Sequence, residues 1–518
     1  MNKILGFILL FLVCLLPALL FSREEIIDAY NCITLASVEK SLIVGRIASV
    51  SFGNFYFDPY HQGHLGHQAI IIIISEICGL SAKKTAILPI GGIIVPFTFF
   101  ALAKKIFNSN ALACFFAIFM AYDPSLSPGH YSIFAYAWVR PLFFVFIILT
   151  IRILEGGKRW EDTLLLFLIF VGTFFLYWTT PAIMILFLFG VNLLLLIQTL
   201  RGKQSKIKRK LTTNSVLVFT VIYLAFSKIL YNEFLPAVIH EKYGTTTDAL
   251  AQFLTWISFR QSTMTEKYTV VTSGNPVYDW ILIFRYIIIL IPIMVYIFVK
   301  LIEVCREQKL QLSLDTYSYL MWSIIFAGLA QSIAYAARGH LSFRYISILF
   351  LPVTLISLDR LKAERVKKIT LLILMILVFS GFSYLLLGGL FNLNKTSNIE
   401  ISAQFLFNKS NYDAKALTDL NTFGIYLLEG VFQQKSLSIK LYNSDIYEMV
   451  VGTSCFIEKN NLGEIVDYVI INKVMANSPT AAGGWKKYEP LSNYFSEINS
   501  NTNINKIYDD SKIWIFKT

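Results

Sequence analysis

LLFLIFVGTFFLYWTTPAIMILFLFGVNLLLLIQTLRGK, residues 165–203, consists of two apolar runs joined by the short turn YWTTP. Each run, 163–179 and 181–199, has the length that an α-helix needs to cross the hydrocarbon core of a bilayer. The cluster RGK follows the second run directly, and basic residues at the end of a span are typical of its cytoplasmic side. The stretch therefore predicts two membrane-spanning helices with their shared turn outside.

Apolar runs of the same kind continue through most of the chain. They cover 4–21, 85–103, 108–122, 134–153, 212–231, 279–301, 316–334, 343–358 and 370–391. Of the 518 residues, 56% are hydrophobic and only 15% are charged, whereas a soluble domain has about 25% charged residues. We predict a mainly α protein, a polytopic transmembrane helix bundle with about eleven spans.

The basic residues sit in short clusters between these runs. Despite a formal charge of +12, this pattern favours a role in membrane topology over nucleic-acid binding. Lys3 precedes the run 4–21, and no small-x-small cleavage site follows it, so an uncleaved anchor with a cytoplasmic N-terminus is favoured over a signal peptide. If the apolar stretch 67–81 also spanned the membrane, Lys104 and the basic cluster 201–210 would fall on mismatched sides. We therefore interpret 67–81 as a helix on the outer membrane surface.

This topology divides the chain into a transmembrane domain, residues 1–391, and an extracytoplasmic domain, residues 392–518. The main external loops of the first domain are then 22–84, 123–133 and 232–278. All six histidines fall in segments predicted to be external. That asymmetry predicts chemistry on the extracytoplasmic side.

The tail changes character, because charged residues return and short β-rich runs begin. These runs are VDYVIINKV (466–474), INKIYDD (504–510) and SKIWIFK (511–517), accompanied by amphipathic stretches at 422–432 and 489–499. Such a mixture is typical of an α/β unit. We predict a small C-terminal α/β domain on the extracytoplasmic side.

Three stretches of the first domain have a recognisable layout: IIIISEICGLSAKKTAILPIGGIIVPFTFFALAKKIF (71–107), the run 165–203 with its YWTTP turn, and ARGHLSFRYISILFLPV (337–353). They resemble the GT-C membrane glycosyltransferases, and the oligosaccharyltransferase catalytic subunit in particular. The resemblance covers the layout of residues 1–390. It implies a membrane glycosyltransferase that moves a sugar or oligosaccharide from a polyprenyl-phosphate-linked donor to an acceptor on the extracytoplasmic face. The chain departs from the family's W-W-D acceptor motif, since its tail holds only Trp485 and Trp514.

Acidic residues of the external loops are the catalytic candidates. Inverting transfer from a lipid phosphate needs a carboxylate that orients or deprotonates the acceptor, often with a divalent cation that neutralises the leaving phosphate. By resemblance, Asp28 in REEIIDAYN is the first-loop carboxylate, with Asp58 and Asp123 as further catalytic candidates. Asp28 and Asp123 are the candidate ligands of Mg²⁺ or Mn²⁺. The structural alternative is that these acids cap helices or form turns.

The second external loop departs from the family, which places a pair of acids there. Superposition on the motif SPGHY puts Ser132 and Phe134 at those positions and leaves Asp123 and His130 nearby. Catalysis without a metal therefore stays open. Three histidines of the first loop have a spacing that is compatible with a metal on one helix face or with interfacial side chains: His61, His64 and His67.

Basic residues near the tenth span are the candidates for donor binding. A polyprenyl-linked donor presents its phosphates at the membrane surface, where an arginine can bind them through two hydrogen bonds. By resemblance, Arg344 is the phosphate-binding residue, with Arg338, His340 and His130 as further substrate-binding candidates. The alternative for Arg344 is an interfacial arginine that reaches the headgroups and binds no ligand.

Two other classes of protein fit the same topology. A transporter or flippase of lipid-linked saccharides would show internal repeats and charge-bearing spans. The chain has no repeating halves, and its spans are almost free of ionisable residues, with Arg285 as an exception. A sensor or assembly protein would leave Asp28 and Arg344 without a role. We therefore predict an enzyme of the cell membrane whose partners are a lipid-linked sugar donor, an undefined acceptor and membrane lipids, without nucleic acid.

Overall fold

The structure is a computed structural model that describes part of the chain. The described residues are 3–21, 35, 65–123, 135–156, 160–176, 179–200, 206–231, 288, 290–302, 305, 316–336, 342–388, 397–410, 414–418, 420–433, 438–441, 467–472, 481–482, 486–487, 505–510 and 513–517.

Up to Gly388, the regular structure of the described residues is α-helical. The helices are α1 (Lys3–Phe21), α2 (Leu65–Cys78), α3 (Ala82–Ala86), α4 (Ile90–Phe107), α5 (Asn110–Ala121), α6 (Ala135–Leu154), α7 (Trp160–Leu176), α8 (Thr179–Leu200), α9 (Lys206–Tyr231), α10 (Leu290–Ile302), α11 (Thr316–Ala336), α12 (Ser342–Arg360) and α13 (Glu364–Gly388). Most of them lack a polar face, and such helices are stable only inside a large core or in lipid. Helix α1 accordingly leaves Ile4, Phe7 and Leu12 more than half exposed.

Three helical segments of the described residues are long and apolar enough to cross a bilayer by length and composition. They are Ala82–Phe107, Thr180–Ile197 and Glu364–Ser383. Shorter apolar helices of 10–17 residues accompany them, among them Ile4–Leu20 and Asn110–Ala121. The chain is thus a helical membrane protein, and the number of eleven spans stays a prediction.

Aromatic side chains fill the centre of the bundle around α4. This helix packs against α1, α5, α6 and α12, while α8 packs against α7, α9 and α11. The ring of Phe99 in α4 lies 5.0 Å from that of Phe144 in α6 and 6.2 Å from that of Phe116 in α5. A Cβ at Gly190 of α8 would lie 3.1 Å from the Cα of Ser323 in α11. Glycine therefore lets α8 and α11 cross closely, as small residues do in membrane bundles.

One end of the bundle carries a polar network of half-exposed groups, which we call the ion-paired end. Lys105 Nζ lies 2.6 Å from Glu155 Oε2, and the Tyr317 hydroxyl donates to the Lys105 carbonyl oxygen at 3.2 Å. The Arg360 guanidinium lies 5.4 Å from the centre of the Tyr317 ring. These four residues join the ends of α4, α6, α11 and α12.

The described residues from Ser397 onward form a small α/β unit. Its helices and strands are α14 (Ser397–Lys409), β1 (Lys415–Thr418), α15 (Leu420–Phe432), β2 (Ser438–Leu441), β3 (Tyr468–Asn472), β4 (Ala481–Ala482), β5 (Lys486–Lys487), β6 (Asn505–Asp509) and β7 (Ile513–Lys517). The main sheet has the order β2-β1-β3-β7-β6 and is parallel from β2 to β3 and antiparallel from β3 to β6. Strands β4 and β5 form a separate antiparallel pair. The β-rich runs of the sequence coincide with β3, β6 and β7, while the domain boundary at residue 392 stays a prediction.

The α/β unit shares one apolar core with α2 and α3, the helices that precede α4. Ile71 and Ala82 are fully buried in the same cluster as Ala403 of α14. Beside this cluster, Lys83 Nζ contacts Glu400 Oε1 at 2.9 Å, with side chains only 12% and 23% exposed. Because the 18-residue α4 spans about 27 Å between α3 and Lys105, the α/β unit lies at the end opposite the ion-paired end. We call this second end, defined by α2, α3 and the docked α/β unit, the covered end.

Candidate active site

Of the three predicted catalytic carboxylates, Asp28, Asp58 and Asp123, the structure describes the side chain of Asp123. It follows Tyr122, which ends α5 by donating its backbone N–H to the Ile118 carbonyl oxygen at 3.0 Å. The Tyr122 ring packs 4.7 Å from the ring of Phe382 in α13. Asp123 itself is only 1% exposed, although it follows an apolar helix. Burying a carboxylate is costly unless it is paired or hydrogen-bonded, and the role of Asp123 in a site stays a prediction.

Arg344 lies in the first turn of α12, and its side chain is outside the described part of the chain. The other end of α12 reaches Arg360 at the ion-paired end, and 19 residues of helix span about 28 Å. The start of α12 therefore lies toward the covered end, as Asp123 does. A shared cavity for Asp123 and Arg344 stays a prediction.

The remaining predicted site residues lie outside the residues that the structure describes. They are Asp28, Asp58, His130, Arg338 and His340. Of the histidine series, His61 and His64 are also outside, while His67 is 2% exposed in α2. In the described ranges, no three or more His, Cys, Asp or Glu side chains are grouped so that they could hold a metal ion. The metal ligands Asp28 and Asp123 stay a prediction.

Arg140 of α6 is a candidate that the sequence reasoning missed. It is 1% exposed and stands first by size among the fully buried side chains of the described residues. The sequence reasoning named Arg285 as an exception among the apolar runs and passed over Arg140. The signal was present in the run AYAWVRPLFF, because a charged residue in an otherwise apolar run is a functional candidate.

The layer around Phe99 shows how deep the two buried charges lie. Phe99 contacts Phe116 and Phe144, which places these three rings at one level of the bundle. Asp123 follows Phe116 of α5 by seven residues, which places it about 10 Å nearer the covered end than the ring layer. Arg140 precedes Phe144 of α6 by four residues, which places it about 6 Å nearer the covered end. The carboxylate and the guanidinium therefore lie on the same side of the ring layer, at similar depth, on helices that both pack against α4.

The α/β unit reaches this region of the bundle. Trp138, two residues before Arg140 on α6, packs against the apolar core that the unit shares with α2 and α3. Near the same interface, burial raises the pKa of the Glu429 carboxyl above its usual range. The hydrogen bond from Gln404 Nε2 at 3.3 Å and the charge of Lys83 oppose this rise, and the charge of Glu400 adds to it. The covered end thus combines the buried charges of the bundle with an apolar contact between α6 and the core that the α/β unit shares with α2 and α3.

Comparison with known proteins shows the fold. Neither a protein-family model nor a curated protein sequence matches the chain. Among solved structures, ArnT from Cupriavidus metallidurans in the apo state matches with a TM-score of 0.52 at 10% sequence identity, covering 99% of this chain and 98% of that chain. ArnT from the same organism bound to undecaprenyl phosphate matches over the same shares with a TM-score of 0.51 at 11% identity. The chain therefore has, over nearly its full length, a membrane helical fold similar to that of ArnT.

Proposed function

We propose that the chain is a membrane glycosyltransferase that moves a sugar or oligosaccharide from a polyprenyl-phosphate-linked donor to an acceptor on the extracytoplasmic face. The observation that carries this proposal is the fold likeness to ArnT along the whole chain, because one of the two ArnT structures holds undecaprenyl phosphate. The three sequence stretches resemble the GT-C membrane glycosyltransferases, which is consistent with this proposal. The likeness to the oligosaccharyltransferase catalytic subunit and the identity of the acceptor stay predictions.

In this proposal, Asp28 accepts the proton of the acceptor nucleophile as that nucleophile attacks the anomeric carbon. The bond from that carbon to the phosphate oxygen breaks, and its electrons leave with the lipid phosphate. Arg344 holds the departing phosphate through paired N–H donors. Asp123 and Asp58 are supporting acids, while Arg338, His340 and His130 contact the substrate. Carboxylate oxygens suit Mg²⁺ or Mn²⁺, so Asp28 and Asp123 would hold such a cation, which would neutralise phosphate charge.

The direct test replaces the two leading residues in the full-length protein in membranes and follows consumption of a labelled lipid-linked sugar. We expect Asp28→Asn to lower turnover by about 10²- to 10⁴-fold, the usual range for loss of a general base. Arg344→Ala should lower it by about 100-fold, as loss of a charge-stabilising donor does. Full activity in both variants would exclude this mechanism.

Matched controls come from the ion-paired end. The substitution Asp359→Asn lies at the end of α12, and Arg365→Ala lies at the exposed start of α13. They replace the same residue types as the two test variants, and we expect turnover to stay within about twofold of wild type. If the wild-type protein instead moves the intact lipid-linked sugar across the bilayer without consuming it, the chain is a transporter or flippase.

A further inference from the structure

We propose that an anionic phospholipid of the surrounding bilayer binds at the start of α13, with its phosphate at Lys367 and Lys368 and its acyl chains along the outer face of this helix. The site belongs to the ion-paired end and does not depend on the proposed function. Of the segment Glu364–Ser383, 22% is buried, against 44% of Ala82–Phe107 and 50% of Thr180–Ile197. Helix α13 is thus the most open to lipid of these three segments.

Three lysines meet where the start of α13 packs on the end of α4. Lys367 Nζ lies 5.3 Å from the centre of the Phe107 ring, so this side chain faces the bundle, whereas the neighbouring Lys368 is exposed. Lys104 lies three residues before Phe107 on α4, and residues at this spacing share one face of a helix. Three positive charges are thereby gathered around one aromatic ring.

Lys105, the sequence neighbour of Lys104, shows how the protein itself neutralises a cation at this end. Its Nζ contacts Glu155 Oε2 at 2.6 Å. Among the residues that the structure describes, Lys104, Lys367 and Lys368 have no ion pair with a carboxylate. A bias of basic residues toward one membrane face accounts for their sign, whereas an anion from outside the chain also accounts for their grouping.

The outer face of α13 continues from Lys368 as an apolar stripe. Leu372, Ile376 and Phe379 follow Lys368 by four, eight and eleven residues, which keeps all four on one side of the helix. The three apolar side chains are 62%, 55% and 40% exposed. From Lys368 to Phe379 the helix rises about 16 Å, close to the roughly 15 Å of hydrocarbon in one leaflet. A phospholipid with its phosphate at Lys368 therefore lays its acyl chains against this stripe.

The charge around the site selects an anionic headgroup. The segment LKAERVKKIT (361–370) holds four basic residues and the single acid Glu364. A lysine ammonium is a point charge with three N–H donors, so Lys367 can bind a phosphate oxygen while it also contacts the Phe107 ring. Phosphatidylglycerol carries a net negative charge, whereas the choline group of phosphatidylcholine cancels the charge of its phosphate. Basic side chains at the membrane surface attract the first lipid more strongly than the second.

The test compares two lipids with the same acyl chains on the full-length protein in detergent. Binding of dioleoylphosphatidylglycerol and of dioleoylphosphatidylcholine is measured by the rise in melting temperature during titration. We expect the wild-type protein to bind the anionic lipid at least tenfold more tightly. The double variant Lys367→Gln with Lys368→Gln should reduce this preference to threefold or less, while it still binds both lipids. In 1 M salt the preference of the wild-type protein should also fall, because exposed charges are screened.

A matched control changes two exposed lysines of the α/β unit. Lys409→Gln with Lys415→Gln removes the same charge away from the α13 stripe, and the preference for phosphatidylglycerol should stay within about twofold of wild type. Glycerol phosphate, which has the headgroup without acyl chains, should stabilise the wild-type protein far less than phosphatidylglycerol does. Equal stabilisation would indicate an anion site without a lipid and would contradict the proposal.

Two further outcomes overturn the proposal. The first is equal affinity of the wild-type protein for the two lipids, a comparison that needs no variant, or a preference that the Lys367 and Lys368 double variant retains. The second is a dimer in light scattering that Leu372→Gln separates, because a second copy of the chain would then cover this face. None of these measurements uses turnover, so the lipid site and the proposed function can fail independently.

Discussion

The two ends of the helix bundle hold their charges in opposite ways. At the ion-paired end, Lys105 and Glu155 contact each other with side chains 32% and 37% exposed. At the covered end, Asp123 and Arg140 are each 1% exposed. Half-exposed pairs contribute little to stability, about 0–1 kcal/mol, whereas burying a charge costs several kcal/mol before compensation. The first end therefore holds charged pairs that contribute little to stability, whereas the second holds charges whose burial is costly unless their surroundings compensate it.

The covered end also differs in carrying the α/β unit, which packs on α2 and α3. Helices α2 and α3 contribute Ile71 and Ala86 to the core of the α/β unit. The Ser75 hydroxyl donates to Thr85 Oγ1 at 2.9 Å and thereby ties α2 to α3. The α/β unit is therefore attached to the segment that leads directly into α4, and its position is coupled to the end where the buried charges lie.

The largest effect on stability is expected at the Lys83–Glu400 contact. Glu400→Lys places two ammonium groups at a mostly buried contact and leaves Lys83 without its carboxylate, which should lower stability by about 2–3 kcal/mol. The double variant Lys83→Glu with Glu400→Lys restores opposite charges and should recover most of the loss. The readout is thermal unfolding of the full-length protein in detergent, with a fall of about 2–3 °C for the single variant.

The neighbouring Lys84 provides the control for this pair. It is exposed, so Lys84→Glu should change stability by no more than about 0.5 kcal/mol. Equal melting temperatures for Glu400→Lys and Lys84→Glu would mean that the ion pair does not hold the α/β unit in place.

Secondary structure was largely readable from the chain. The apolar run 181–199 lies within α8, and the run 370–391 overlaps α13, because about 20 apolar residues in a row have few alternatives to a membrane helix. The run 85–103 lies within the segment Ala82–Phe107, which is long and apolar enough to cross a bilayer. The sequence did not mark the turn inside this segment, between α3 and α4, where Leu88 N–H donates to the Thr85 carbonyl oxygen and Pro89 precedes the next helix. Hydrophobicity alone does not mark such a turn.

The candidate site was less readable, for a physical reason. Contacts such as Lys83 with Glu400 join residues 317 positions apart, and local periodicity carries no information about them. Arg140 was visible as a charge in an apolar run, but its burial depends on helix packing that exists only in the folded chain. Asp123 was identified through its loop and the family resemblance, and the structure adds that its side chain is buried.

A smaller effect is expected at Glu429, and it depends on pH. Burial raises the pKa of this carboxyl, and the charge of Glu400 raises it further. The folded state therefore favours the protonated acid. The stabilisation is fully present below the pKa of the unfolded chain and is lost as pH rises through the higher pKa of the folded state. Glu429→Gln keeps an acceptor for the Gln404 amide and removes the charge, so it should stabilise the protein at neutral pH by up to about 1 kcal/mol.

The measurement for Glu429 is the difference in melting temperature between the variant and wild type, taken from pH 4 to pH 8. The difference should grow with pH and level off at neutral pH. Gln404→Leu is a useful partner variant, because it removes the donor that opposes the pKa rise and should enlarge the pH dependence of the wild-type carboxyl. A difference that is flat across this range would show that Glu429 does not titrate in the folded protein.

The smallest effect is expected at the ion-paired end itself. Lys105→Gln removes the contact with Glu155 but leaves the Lys105 carbonyl oxygen that accepts from Tyr317. Because both charged side chains are about one-third exposed, the loss should be about 0.5 kcal/mol and should shrink further in 1 M salt, where surface charges are screened. Unfolding of the variant and of wild type at low and high salt measures this directly. Turnover of the lipid-linked sugar should stay within about twofold, since this end lies about 27 Å from α3 along α4. A loss of turnover as large as that expected for Arg344→Ala would break the contrast between the two ends, because a half-exposed pair far from the covered end would then matter to the reaction.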